Sequence, residues 1–113
     1  MILFSDRTRF IRARPDGKGL VFSVSAAVLD RAGWKEGEFI YEAAVKPGKV
    51  VLYSPQVEIT GEIIQGPYFS PRPPGRRSFP VSSRILRLAG FKVEQPVALT
   101  LQKEGPTIII SPR

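Results

Sequence analysis

Seventeen Lys and Arg residues, ten Asp and Glu, and no His or Cys set the chemistry open to this chain. Without imidazole or thiol there is no histidine general base, no cysteine nucleophile, no Cys/His zinc site and no disulfide scaffold. No cofactor or metal is expected. What the chain holds in excess is cationic charge, formally +7 with a pI near 10.3, a balance that favours a polyanionic partner. The bases are also clustered. Arg7, Arg9, Arg12, Arg14 and Lys18 lie close together with Asp6 and Asp16 as the nearby acids, and Arg72, Arg76, Arg77, Arg84, Arg87 and Lys92 occupy a stretch free of acids. Glu36, Glu38 and Glu42 gather elsewhere. A solvated basic face would explain charge alone; clustering favours nucleic acid. One acidic pair, Glu58 and Glu62, has the strand parity to present two carboxylates on one face, as a metal-dependent nuclease would need, and a solvated face explains that pair equally well.

The elements that would carry these residues are short. Met1 to Phe4 reads as an edge or terminal strand, and Thr8 to Arg14 as a strand leading into Pro15-Asp16-Gly17, where Pro fixes φ and Gly accepts a positive one. Lys18 stands at the turn exit and Leu20 to Val24 is the returning strand. Ser25 is placed to cap a helix over Ala26 to Ala32, Gly33 to end it in a left-handed conformation, and Trp34 to pack back on Leu29. Phe39 to Val45 and Lys49 to Ser54 read as a hairpin around Lys46-Pro47-Gly48, in the order a type II turn takes. Between Pro67 and Pro80 lie five of the eleven prolines, which predicts a stiff, extended and irregular centre.

The same order then recurs. Phe22 to Pro55 aligns with Phe79 to Pro112 at a constant offset of 57, with eleven identities in thirty-four positions. Phe22, Val24, Ser25, Leu29, Ala32, Gly33, Lys35, Lys46, Gly48, Ser54 and Pro55 return as Phe79, Val81, Ser82, Leu86, Ala89, Gly90, Lys92, Lys103, Gly105, Ser111 and Pro112. At that offset Met1 to Phe4 falls on Glu58 to Gly61, and the second hairpin turns at Glu104-Gly105 between Val97 to Gln102 and Thr107 to Ser111. Pro73-Pro74-Gly75-Arg76 echoes Pro15-Asp16-Gly17-Lys18, so a turn glycine is twice followed by a base. Two units are too few for a solenoid and suit a closed pseudo-twofold barrel. The chain reads as one domain, residues 1–113, made of two repeats, 1–56 and 57–113, each near the lower limit for independent folding, so that the halves are expected to share one core. Ile108-Ile109-Ile110 has no polar alternation and should be covered on both faces. The absence of a membrane-length apolar run or a signal-like start predicts a cytoplasmic protein.

The order of basic strand, Gly-basic turn, apolar strand, short helix and closing hairpin resembles the AbrB/MazE/SpoVT swapped-hairpin family, tandemly duplicated in one chain. The stretches Val24 to Trp34 and Val81 to Phe91 are similar to the Ser-x-x-x-Leu-x-x-Ala-Gly-aromatic helix of its SymE-like branch. The resemblance implies a mainly β, cradle-loop barrel with one short helix per repeat, a double-psi β-barrel being the alternative. It also implies a DNA-binding transcription regulator or antitoxin, not an enzyme. Contacts would come from the first strand and the Gly-basic turn: Arg7, Arg9, Arg12, Arg14 and Lys18, then Arg72, Arg76 and Arg77, with Arg84 and Arg87 on the second helix. Double-stranded DNA is the expected partner, and a cognate toxin or a further copy of the chain the other candidates. This chain departs from the family pattern in carrying Ser25 and Ser82 where many relatives have Pro, and in lacking their paired helix bases. A SymE-like toxin acting on RNA and a barrel adaptor for a protein partner are the competing functions.

Overall fold

The computed structural model describes residues 2–102 and 105–113; Met1, Lys103 and Glu104, and with them part of the expected second hairpin turn, lie outside the described residues. The chain is mainly β with two short helices. In order these are β1 (Ile2–Phe10), β2 (Arg12–Ala13), β3 (Leu20–Val21), β4 (Ser23–Ser25), α1 (Ala26–Ala32), β5 (Phe39–Val45), β6 (Lys49–Tyr53), β7 (Ile63–Pro71), β8 (Ser78–Pro80), α2 (Ser83–Leu88), β9 (Pro96–Gln102) and β10 (Thr107–Pro112). Six strands form one sheet in the order β1-β9-β10-β6-β5-β7, while β2-β3 and β4-β8 form two short ladders. Hydrogen bonding among the described residues does not close the main sheet, because β1 and β7 remain its two edges.

The halves are threaded through each other. The first strand of each half pairs with the hairpin of the other: β1 lies antiparallel to β9, and β7 to β5. Two further ladders join equivalent strands, β6 with β10 about the pair Val51↔Ile109, and β4 with β8 about Ser23↔Pro80. A pseudo-twofold axis therefore passes through both ladders, leaving the molecule through β4-β8 on one side and through the middle of the main sheet on the other.

Backbone bonds correct the alignment of the repeats. Ile11 N–H donates to Gln95 O and Ile11 O accepts from Glu94 N–H; in the other half Arg72 N–H donates to Glu38 O and Arg72 O accepts from Gly37 N–H. Ile11 and Arg72 are thus counterparts at an offset of 61, and β1 matches a strand that starts at Ile63 rather than at Glu58. Four additional residues of the first repeat lie between Ile11 and Phe22, around the Pro15 to Lys18 turn. The hairpins also differ by one residue: Ala43 pairs with Val51 and Thr100 with Ile109, so the last strands correspond at an offset of 58. Local chemistry survives these insertions because caps and turns depend on neighbours within a few residues.

Both helices end as their residues dictate. Ser25 Oγ accepts from Val28 N–H and Ser82 Oγ from Ile85 N–H, satisfying one free donor at each start. At the far ends Gly33 has φ 98° and Gly90 φ 94°, and the next residues donate back, Trp34 N–H to Leu29 O and Phe91 N–H to Leu86 O. The apolar sides of α1 and α2 then join Ile11, Phe22, Val24, Ile40, Leu52, Phe79, Leu99, Leu101, Ile108 and Ile110 in the principal core, which includes both Trp34 and Phe91. A smaller cluster on the opposite face of the sheet, Ala43, Val45, Val51 and Tyr53, is covered by Val57 and Ile59 of the connection between halves. Ile109 packs there while Ile108 and Ile110 face the principal core, so the all-apolar run is covered on both sides.

Two expectations change. The proline-rich centre is partly strand: β7 runs through Pro67 and Pro71. As an edge strand it has one side that needs no hydrogen bonds, and a register shift between Glu42↔Tyr68 and Ala44↔Gln65 places Gly66 and Pro67 together opposite Ala43. A Cβ on Gly66 would come within 2.9 Å of Glu42 O, which is why glycine stands in the bulge. The first hairpin turn is closed by Gly48 N–H donating to Val45 O across a cis Lys46–Pro47 peptide, so Pro47 occupies the third place of the turn instead of the second place of a type II turn.

Candidate nucleic-acid interface

The basic turns are built from their own backbones. In the first, Gly17 has φ 73°, Gly17 N–H donates to Arg14 O, Arg14 N–H donates to Gly19 O, and Asp16 Oδ1 accepts from Lys18 N–H. In the second, Gly75 has φ 72°. Each turn leads back to the start of the other half's helix: Leu20 N–H donates to Oγ of Ser83, the first residue of α2, and Ala26 N–H of α1 donates to Arg77 O. The Arg14 side chain lies across Gly19, where a Cβ would be 3.1 Å from Arg14 Nε and 3.0 Å from Ser83 Oγ. Two basic groups thus flank the β4-β8 ladder. Arg14 and Lys18 accompany Arg84 and Arg87 of α2; Arg76 and Arg77 accompany α1, whose matching positions are Ala27 and Asp30.

The ten candidate bases divide by what their heads already bind. Arg14, Lys18, Arg76, Arg77, Arg84 and Arg87 are exposed, and their side chains make no hydrogen bond, ion pair or ring contact among the described residues. Arg7 is also exposed, its head without a partner among the described residues and its carbonyl accepting from Arg113 Nη1. Arg9 is half-buried, donating from Nη2 to Ser23 O at 2.8 Å with its guanidinium 4.4 Å from the Phe22 ring centre. Arg12 is exposed but paired with Glu94 at 2.9 Å and held over Phe10. Arg72 requires a correction: it is 6% exposed, and Nη1 donates to both Asp30 Oδ1 and Trp34 O at 2.6 Å, so it ties α1 to the end of β7 and has no open face for a ligand. No local signal in the sequence distinguishes it from the exposed arginines, since its acid lies 42 residues earlier.

Glu42 is a second residue that local sequence does not single out. It sits on the core face of β5, opposite Leu52 and Tyr68, and is 5% exposed. Burial pushes its carboxyl up to about 7, against the smaller opposing effect of Ser82 N–H, which donates to Oε1 at 2.9 Å. The available signal was internal, because the repeat places Leu99 at the same point. On the surface Asp6 is lowered by the Thr8 hydroxyl and then by Thr8 N–H, and burial raises Tyr53, helped by Tyr41. Of the acidic pair, Glu62 meets Lys46 at 3.3 Å, while Glu58 lines a cleft with Val57, Ile59 and Ile109. Among the described residues no three potential ligating side chains cluster, and no helix is long and apolar enough to cross a membrane.

No protein-family model, curated protein or solved structure matches this chain.

Proposed function

We propose that this chain binds double-stranded DNA as a fused dimer of AbrB-like, swapped-hairpin units, acting as a transcription regulator or antitoxin. The observation that carries the reading is the set of six exposed, uncommitted bases on two turn-and-helix groups, Arg14, Lys18, Arg84 and Arg87 on one side of the β4-β8 ladder and Arg76 and Arg77 on the other. Turns and a helix that present cations with no internal use for them among the described residues fit phosphate contact, and arginine heads suit base edges as well. The exchange of hairpins between halves supports the swapped-hairpin class. A protein-binding role is favoured by one separate feature, the exposed Phe39 and Phe69 rings, 6.0 Å apart at the β7 edge with Tyr41 beside them.

The test is gel retardation with random and genomic duplexes over a series of salt concentrations. Replacing Arg14, Lys18, Arg76 and Arg77 by Ala should leave stability within about 0.5 kcal/mol, because all four are exposed and unpaired among the described residues. Binding should collapse, and the slope of log K against log salt should flatten by roughly 0.9 for each phosphate that the variant no longer neutralises. A control at Lys46 and Lys49, on the β5-β6 hairpin, should bind normally. Equal losses from both variants would leave only attraction by net charge, and no retardation of any duplex at low salt would refute the reading. A protein groove would show little of that salt dependence.

A further inference from the structure

The two helix-end clefts occupy equivalent places in the halves and differ in charge, the first lined by two carboxylates and two cations and the second by two cations alone. Beside α1 the cleft is lined by Asp30, Gly33, Trp34, Lys35, Glu36 and Arg72. Beside α2 it is lined by Gly17, Lys18, Gly19, Leu20, Arg87, Phe91 and Val93, and measures about 310 Å³. The repeat sets Asp30 against Arg87, Trp34 against Phe91 and Glu36 against Val93, and the backbone bonds set Arg72 against Ile11. In the first cleft a carboxylate therefore closes on a buried guanidinium at 2.6 Å. In the second, Arg87 replaces the carboxylate and the wholly buried Ile11 replaces its partner. The extra residues of the first turn then fold over that cleft and add Lys18.

Two cations so converge on one cleft, and neither has an internal partner among the described residues. Arg14, lying across Gly19, borders the same turn, and Arg84 precedes Arg87 by one helical turn. The nearest acid in the turn, Asp16, has its carboxylate bound to the Lys18 backbone N–H at 2.9 Å. Like charges held together by the fold repel unless an anion lies between them, and Arg with Lys is a donor set suited to phosphate oxygens. We propose that the α2 cleft is a phosphate-binding site, its ligand balancing Arg87 and Lys18 where an internal ion pair balances the other half. Resting on the DNA-binding reading, the site makes that binding lopsided, with the α2 side the stronger contact.

The site is tested on the full-length chain by following backbone amide signals in NMR during addition of inorganic phosphate, and separately by retardation of a random-sequence duplex. Phosphate should move the amides of Lys18, Gly19 and Phe91 saturably and leave those of Lys35 and Glu36 in place. Arg87→Asp copies the charge of the other cleft and should abolish both the phosphate shifts and most duplex affinity, a loss of roughly tenfold or more at low salt. Lys35→Asp changes net charge equally and should do neither. If Arg87→Asp does not fold, Lys18→Ala with Arg87→Gln provides the same comparison. Shifts that spread over both clefts, persist in the Arg87 variant, or accompany equal losses from Lys35→Asp would overturn the site. A duplex bound as well by Arg87→Asp as by wild type would also overturn it while sparing the DNA-binding reading. Saturable phosphate binding with no duplex binding would sustain the site as one for free phosphate and end that reading.

Discussion

Glu42 makes the stability of this protein depend on pH in a direction opposite to that of most carboxylates. Unfolded, its carboxyl ionises near its ordinary value of 4.5; folded, burial keeps it protonated to about 7. Between those values the folded chain holds a proton that the unfolded chain has released, so stability is full below about 4.5, declines as pH rises through the window and levels off above about 7. At about 1.4 kcal/mol for each pH unit of displacement, the loss amounts to about 3 kcal/mol, on the order of 10 °C in melting temperature for a domain of this size. Asp6, held below 3.8, contributes stability that is lost as pH falls, in a window that does not overlap. Urea unfolding at pH 5, 6, 7 and 8 measures the effect. Glu42→Gln keeps an oxygen for Ser82 N–H and cannot ionise, so its stability should be nearly level over that range and exceed wild type most at pH 8. Parallel wild-type and Glu42→Gln profiles would show that the carboxylate is already ionised in the fold, refuting the reasoning.

Three further outcomes follow from the packing. Asp30→Ala should cost about 1–3 kcal/mol in chemical denaturation, since it leaves a buried guanidinium with only Trp34 O as acceptor, while duplex retardation should stay at the wild-type level. Gly33→Val and Gly90→Val should each cost on the order of 1–2 kcal/mol or more, through the positive φ alone because nothing lies within 4 Å of either new Cβ; normal melting in both would show that the helix ends tolerate a branched residue. Residues 1–56 expressed alone should be unfolded or self-associated by size-exclusion chromatography and NMR, because the strands that pair with β1 and β4, and one of the two that pair with each of β5 and β6, belong to the other half. A stably folded monomer of that fragment would contradict the interdependence of the halves.

What could be read in advance was whatever is set by neighbours. Ser25, Gly33 and Trp34 specify a helix with both its ends, since each acts on backbone groups within a few residues, and their recurrence at Ser82, Gly90 and Phe91 doubled the signal. The hairpin strands came out close to their expected bounds for the same reason. Register between halves did not, because an insertion is silent in a pattern of short motifs: the extra residues before Phe22 displaced β1 from the counterpart that a constant offset selects, and only the bonds of Ile11 and Arg72 reveal the true match. Partner choice over long separations was equally hidden. Nothing near Arg72 announces Asp30, and nothing near Arg12 announces Glu94, 82 positions on.

The same two hidden facts explain why the halves do not present the same charge. Duplication creates two equal clefts, each with a helix position at 30 or 87 and a strand end at Ile11 or Arg72. A carboxylate and a guanidinium occupy those places in one half and cancel each other at 2.6 Å. In the other, an apolar strand end leaves Arg87 with no internal partner among the described residues, and a longer turn adds Lys18 beside it. Charge that the fold neutralises in one copy is thus presented to solvent in the other. A symmetric scaffold acquires direction in this way with no change in its backbone bonding, since Ile11 and Arg72 make the same backbone bonds although one joins the apolar core and the other holds a charged head.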